Sequence, residues 1–214
     1  MPRPTFPDTR TLQMPDSSFK VEPKGTIMGI GGWFRGDRGK DRDDQGVTVE
    51  LTPIGGQPEL DFLFIEVPAV DILRAIDGWK WLSLVGLTVI AVSAFGEVFL
   101  RDGTGAVFQI DTIEGKLSKV ANSIRELTAM LQNSEARDEL LFGGLVIGAR
   151  NRGLILEPGE CYDFKIAPIL GGQMSVDEIE KLSFTVKLHI AGQLHEQVKD
   201  VPPGTTIDQV TISS

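Results

Sequence analysis

Two histidines and one cysteine are the side chains of this 214-residue sequence best suited to metal binding or nucleophilic catalysis. A metal-binding histidine pair on a helix needs residues one turn apart, but His189 and His195 are six positions apart on a predicted helix. We interpret both as ordinary surface or boundary residues. Cys161 has no histidine close to it in sequence, and we predict a small buried residue rather than a nucleophile.

A glycine-rich, charged stretch at residues 29–46 contains two further motifs. Gly29–Gly32 lacks the Gly-Lys-Ser/Thr ending of a phosphate loop, so we interpret it as a connector. Asp41–Gly46 matches the first half of a calcium loop, but Thr52 stands where a bidentate glutamate is required. We interpret this segment as a solvated charge cluster. The sequence therefore predicts no metal site, no cofactor site, no catalytic residues and no enzymatic activity.

Composition and charge narrow the class of protein. Hydrophobic residues make up 41% and charged residues 24%, which is ordinary globular composition and excludes wholesale disorder. The formal net charge is −9, and residues 61–214 hold 13 basic and 21 acidic side chains, a net charge of −8. Such a chain repels nucleic acids and anionic membranes and attracts basic partners. We expect neither nucleic acid nor membrane among its partners.

The expected compartment follows from the cysteine count and the apolar segments. A single cysteine cannot form an internal disulfide, which favours a reducing compartment. The first residues contain no apolar run typical of a secretory signal peptide. The uncharged stretch from Trp81 to Gly96 has 16 residues, against the roughly 20 that span a bilayer, and its β-branched centre indicates a buried strand. We therefore expect a soluble, cytoplasmic protein.

Hydrophobic periodicity predicts a mixture of strands and helices. The predicted strands are Val47–Leu51, Asp61–Val67 (apolar on both faces, hence central), Leu84–Ser93, Glu97–Arg101, Ala106–Asp111, Leu117–Ala121 and Glu160–Ile166. The predicted helices are one from Pro68 to Gly78 with Val70, Leu73 and Ile76 on one face, one capped by Ser123 that runs to Gln132, Ser134–Arg150, one capped by Ser175, and Phe184–Lys199.

The order of these elements predicts the fold class. Strands come first, then helices, then one strand and helices again, which indicates an α+β fold with a mostly antiparallel sheet packed against several helices. Residues 1–25 carry five prolines without a sustained period, so we expect an extended amino-terminal arm. The predicted domain organisation is a Pro/Gly-rich arm and charged loop at residues 1–46, followed by an α+β domain at residues 47–214. The segment from Thr52 to Leu60 is expected to be a long hairpin loop.

Four blocks of sequence carry a resemblance to a known family. They are Ala91–Asp102, Val107–Asp111 with Val120–Ser123, Gly159–Gly172, and His189–Asp200. Together they resemble the carboxy-terminal domain of the DNase-immunity proteins of type VI secretion systems, over about residues 66–207. Two features depart from that family. Glu97 stands where an aspartate often follows Phe-Gly, and the 60 residues ahead are too few for the complete GAD-like domain of many members.

The resemblance implies a non-enzymatic immunity protein that binds and neutralises a cognate secreted toxin, with a DNase as one candidate. An acidic inhibitor suits a toxin with a basic surface. Two alternatives stay open: a structural or adaptor module of a secretion or phage-related system, and a small-molecule enzyme. We expect exposed acids in the partner contact, with Glu97, Asp102, Glu114, Asp138 and Glu139 as candidates. We expect structural roles for Phe95, Gly96, Pro168, Gly171 and Gly172.

Overall fold

The computed structural model of the chain describes residues 46–54, 58–202, 205 and 209–212, and the following account refers to these residues. Three predictions lie outside the described residues: the extended arm, the connector at Gly29–Gly32, and the solvated cluster at Asp41–Gly46 apart from Gly46 itself. The Gly55-Gly56 part of the expected hairpin loop also lies outside them.

A five-stranded sheet forms the centre of the described fold. Its strands follow one another in chain order: β1 (Thr48–Val49), β2 (Thr88–Val92), β3 (Val98–Arg101), β4 (Val107–Asp111) and β5 (Lys116–Ala121). β1 pairs with β2 in parallel, and the other three pairs are antiparallel. A second sheet pairs β6 (Glu160–Phe164) with β7 (Ile179–Ser183) in antiparallel register. The predicted α+β fold with a mostly antiparallel sheet is confirmed.

Helices pack on both faces of the large sheet. The α-helices are α1 (Ala69–Ala75), α2 (Ile124–Met130), α3 (Ser134–Leu141), α4 (Gly143–Asn151) and α5 (Phe184–Val198). Short 3-10 helices span Pro58–Leu63, Ile76–Leu82, Pro168–Leu170 and Val176–Glu178. Side chains of α2, α3 and α4 join one hydrophobic core, and those of α1, the Ile76–Leu82 helix and α5 join a second.

The alternation of side chains along β3 explains why both faces of the sheet must be packed against other elements. Phe99 belongs to the first core, whereas its neighbours Val98 and Leu100 belong to the second, and all three are buried. Successive residues of a strand point to opposite faces, so a strand that is apolar throughout requires packing on both sides. The order of strands and helices along the chain supplies one helical layer for each face.

The segment Asp61–Val67 is not a strand, contrary to the prediction. Residues Pro58–Leu63 form a 3-10 helix, and only Phe64 makes an isolated bridge, with Ser93. Leu60 and Leu63 are the buried residues of this helix, and residues three apart share a face in 3-10 geometry. Because the run is apolar on every side, periodicity alone could not distinguish the two structures. The expected hairpin is likewise wrong, since β1 pairs in parallel with β2.

The predicted helix Ser134–Arg150 is divided at Phe142. This residue has a left-handed backbone, with φ of 53°, and separates α3 from α4. The ring of Phe142 packs edge-on against Phe95 at 5.3 Å between centroids, and the Asp138 side chain accepts from the Gly144 N–H at 2.7 Å. Packing of the partly buried ring against Phe95 and the aspartate cap stabilise a break that helical periodicity cannot reveal.

The helix after Pro68 forms as predicted but buries a different face. Ile72 and Ala75 are the buried residues of α1, whereas Val70 is 61% exposed and Leu73 is 43% exposed. Gly78 does not end the helical segment, which continues as the Ile76–Leu82 3-10 helix. A glycine is needed there because α5 passes very close: a Cβ at this position would lie 2.9 Å from the backbone carbonyl oxygen of residue 189.

The two predicted capping boxes have different outcomes. The Ser123 cap is confirmed, because the Ser123 hydroxyl accepts from the Glu126 N–H at 3.1 Å. The Glu126 carboxylate completes the cap one residue earlier than in a standard box, accepting from the Asn122 N–H at 2.7 Å. The Ser175 box is wrong, because Ser175 makes no side-chain cap and precedes only the short Val176–Glu178 helix. The chain then enters β7, a strand that periodicity missed.

The stretch from Trp81 to Gly96 contains strand β2, as predicted. Within the described part of the chain, no helix combines the length and apolar character needed to cross a bilayer.

Candidate functional site

The junction between β2 and β3 brings together two of the sequence blocks of the family resemblance, Ala91–Asp102 and Gly159–Gly172. Ser93 to Gly96 form a turn in which the Gly96 N–H donates to the Ser93 carbonyl at 2.9 Å, and Gly96 has φ of +83°. Phe95 at the tip is fully buried, and its ring lies within 5.5 Å of the rings of Tyr162 and Phe164. The turn is thereby anchored in the first core.

Glu97 follows this turn and is buried, with 0% exposure. The Ser93 hydroxyl donates to one carboxylate oxygen, and the Thr112 hydroxyl donates to the other at 2.9 Å. Burial raises the pKa of Glu97, while the positive charge of Lys187 and the two hydroxyl donors oppose that shift. The expectation that Glu97 is an exposed partner contact is therefore wrong, because its carboxylate belongs to an internal polar network.

Lys187 on α5 supplies the positive charge of this network. Its ammonium group donates to the Phe95 carbonyl, donates to the Tyr162 carbonyl at 3.2 Å, and lies 3.6 Å from the Asp163 carboxylate. Burial alone would lower the pKa of Lys187, but Asp163 and Glu97 outweigh burial and raise it, so the side chain is charged. One buried cation thus joins α5, β6 and the β2–β3 turn.

Cys161 on β6 borders the same cluster and is fully buried, as predicted. Burial raises the pKa of its thiol to about 12, despite the nearby charge of Lys187. The thiolate is the reactive form of cysteine, so this environment suppresses nucleophilic chemistry.

We predict that Cys161 resists thiol reagents in the folded protein. A disulfide-exchange reagent at neutral pH should react only at the rate at which the chain opens, because burial blocks access and the thiol stays protonated. The same protein in denaturant serves as the control and should react rapidly with its single thiol. Rapid labelling of the native protein would show that the thiol is accessible.

His195 on α5 is also buried, which corrects its assignment as a surface or boundary residue. Its Nε2 lies 3.0 Å from the Thr112 carbonyl oxygen, and because a carbonyl only accepts, Nε2 carries the proton. Burial lowers the pKa of His195, which favours this neutral form. The ring occupies the space beside Gly115, where a Cβ would lie 2.2 Å from Nδ1. The residue packs α5 against the β4–β5 turn.

Two observations define what this cluster does. Every buried polar side-chain atom of the described residues has a hydrogen-bond partner. No group of three His, Cys, Asp or Glu residues in the described ranges is arranged to hold a metal ion. The buried network around Lys187 therefore has the features of an internal support for the fold.

The four remaining acidic candidates belong to three different elements. Asp102 belongs to the β3–β4 turn, and Glu114 belongs to the β4–β5 turn at the opposite end of β4. Asp138 and Glu139 lie on α3. Asp102 and Glu114 are thus separated by the length of β4, whereas Asp138 and Glu139 are neighbours on one helix.

Three of these four acids also have local structural contacts. Asp102 accepts from the Thr104 hydroxyl at 2.7 Å and from the Thr104 and Ala106 N–H groups, and these bonds lower its pKa, chiefly the hydroxyl bond. Asp138 caps α4, and Glu114 pairs with Lys116. Glu139 is exposed on α3.

The Pro168–Gly172 segment is a tight connection after β6. Pro168–Leu170 form a 3-10 helix, and Gly171 ends it with φ of +91°. A Cβ on Gly172 would lie 1.8 Å from the Ile166 carbonyl oxygen, so the backbone passes too closely for any other residue.

Comparison with known proteins supports the resemblance found in the sequence. Residues 121–195, from the end of β5 into α5, match the family model described as "T6SS immunity protein Tdi1, C-terminal". The match covers about a third of the chain and confirms the predicted likeness to the carboxy-terminal domain of type VI secretion immunity proteins. No curated protein matches the sequence.

Three chains among the solved structures match this chain. One of them is described as "Crystal structure of Atu4351 from Agrobacterium tumefaciens" and shares 17% sequence identity with this chain. The alignment covers 62% of this chain and 67% of that one, with a TM-score of 0.40.

Proposed function

We propose that this chain, whose residues 121–195 match the type VI secretion immunity family, binds a cognate secreted toxin and neutralises it. The family match is the observation that carries the proposal. The matched residues include α2, α3, α4, β6, β7 and most of α5, and so contain Lys187 and two of the three elements that it joins, α5 and β6. In this proposal the chain acts by occupying the toxin's surface and catalyses no reaction.

The charge of the chain supports a partner with a basic surface. The net charge of −9 favours association with a cationic protein, and a DNase toxin would supply such a surface because it must hold a phosphate backbone. Acids outside the core, with Asp102, Glu114, Asp138 and Glu139 as our proposed set, would then steer the encounter. Glu139 is the best suited of these because its carboxylate makes no hydrogen bond or ion pair with the described residues.

Isolation of the partner tests the proposal. We expect the tagged chain, recovered from its native host, to bring with it a protein that is toxic when produced alone in a sensitive strain. Co-production of the chain should restore growth of that strain. The matched control is Lys187→Met, which should protect poorly because the fold is weakened.

Two results would contradict immunity. One is a copurifying protein that is not toxic and whose machine fails to assemble without the chain, since this would indicate an adaptor. The other is a toxic partner whose effect on growth is unchanged by the chain at matched expression.

A further inference from the structure

We infer that an open groove beside strand β2 is the docking site for a segment of the partner protein that combines apolar side chains with lysine or arginine. This β2 groove has a floor of Ile90–Val92, walls formed by Leu51–Ile54 and Phe64–Pro68, and a volume of about 740 Å³. The inference rests on the proposed function, because it names the surface that meets the toxin.

Two segments of backbone create the groove. The Thr52 N–H donates to the Ile90 carbonyl at 2.8 Å, and the Ile65 N–H donates to the Val92 carbonyl at 3.0 Å. Both segments therefore bind the same edge of β2, one after the other, and the groove lies over the strand between them. Because hydrogen bonds to the strand fix both walls, the groove is formed before a partner arrives.

The lining of the groove is apolar, with Leu51 left 46% exposed at its side. The apolar surface continues onto α1, which begins directly after Pro68 and leaves Val70 and Leu73 exposed. The sequence pattern placed these two residues on one face with Ile76, and of the three only Ile76 is buried. An exposed apolar surface next to a preformed groove is typical of a protein interaction site.

The charged side chains of the groove select the occupant. Asp61 and Glu66 are the two charged residues that line it among the described residues, and both are acidic. Neither carboxylate makes an ion pair or a side-chain hydrogen bond within the part of the chain that the structure describes. A partner segment with lysine or arginine beside its apolar side chains complements both properties. Nucleic acids and anionic membranes carry the same sign of charge as the groove and are disfavoured.

Nuclear magnetic resonance with a defined peptide tests the inference even before the toxin is identified. The probe is a short synthetic peptide in which leucine alternates with lysine, and its control has glutamate in place of lysine. We expect the lysine peptide to shift the amide signals of Ile54, Ile65 and Ala91 and to bind at least about tenfold more tightly than the control, with the difference shrinking in added salt.

Variants of exposed acids show whether the groove itself is responsible. Asp61→Lys with Glu66→Lys should abolish the shifts. Glu180→Lys with Glu196→Lys, at exposed acids of β7 and α5 outside the groove, makes the same change of charge and should leave them intact. Signal changes scattered over the acidic surface, or equal loss in both variants, would overturn the inference. So would groove contacts that arise without peptide from a second copy or from another part of this chain.

The outcomes separate this inference from the proposed function. If the chain protects cells from the toxin but the peptide does not bind in the groove, only the docking site is wrong. If the peptide binds there but no toxin is neutralised, the groove has another partner of the same chemistry and the immunity proposal fails. The Asp61→Lys/Glu66→Lys variant should retain its fold. It should lose protection against the toxin if both proposals hold.

Discussion

Replacement of Lys187 by methionine is expected to lower the free energy of unfolding by about 3–5 kcal/mol, because it leaves buried acceptors and the Glu97 carboxylate without their cation. Lys187 is buried, and it donates to the carbonyls of Phe95 and Tyr162 from two separate segments of the chain. Methionine retains most of the apolar stem, so the loss reports mainly on the charge. Urea unfolding followed by circular dichroism measures the effect.

Two further variants make the result specific. Lys165→Met removes an exposed lysine whose nearest carboxylate is 3.9 Å away, and it should change the free energy by less than about 1 kcal/mol. The double variant Lys187→Met/Glu97→Gln should recover part of the lost stability, since it removes one of the two carboxylates, Glu97 and Asp163, that Lys187 compensates. A Lys187→Met variant as stable as the native chain would contradict the proposed role of the network.

Replacement of Phe95 by alanine is the second change with a large expected effect. We expect a loss of about 3–5 kcal/mol, because the buried ring fills space among Phe142, Tyr162 and Phe164 and alanine leaves a cavity there. Thermal and urea unfolding both measure it. Val85→Ala is the control, since Val85 is exposed and its truncation should be nearly neutral. An unchanged melting temperature for Phe95→Ala would refute the anchoring role of the ring.

Local patterns predicted the parts of the fold that depend on local forces. Strands β3 and β4 consist mainly of apolar and β-branched residues between turn residues, which is a local signal for a strand. The Ser123 side chain accepts from a backbone N–H in the first turn of α2, so this cap also depends only on neighbouring residues. The break at Phe142 could not be predicted in this way. It depends on the Phe95 ring, which a different part of the chain brings into contact.

The burial of Glu97 was also beyond a local prediction, because its partners are distant in sequence. A signal for the network was nevertheless present on α5. Lys187 lies one turn after Phe184 and one turn before Ala191, on the apolar face of a predicted helix. A lysine in that position indicates a buried cation, and a buried cation requires a buried acid. His195 lies on the same face, one turn after Ala191, and could have been recognised as buried by the same argument.

The β2 groove was hidden for a different reason. One wall includes residues of Asp61–Val67, which were predicted to form a central strand. A strand there would be paired within the sheet, whereas in the structure these residues line an open groove. The exposure of Leu73 on α1 was not predicted either, because packing against α5 and the Ile76–Leu82 helix determines which face of α1 is buried. Surface chemistry of this kind follows from tertiary packing.

Titration of the purified toxin with the purified chain is the most direct measurement of the central claim. The toxin's own activity is followed as the chain is added, with Lys187→Met as a weakly folded control. The account predicts that activity falls to zero at a fixed molar ratio, because a tight complex forms and covers the toxin. Full toxin activity in the presence of a large excess of folded chain would contradict it.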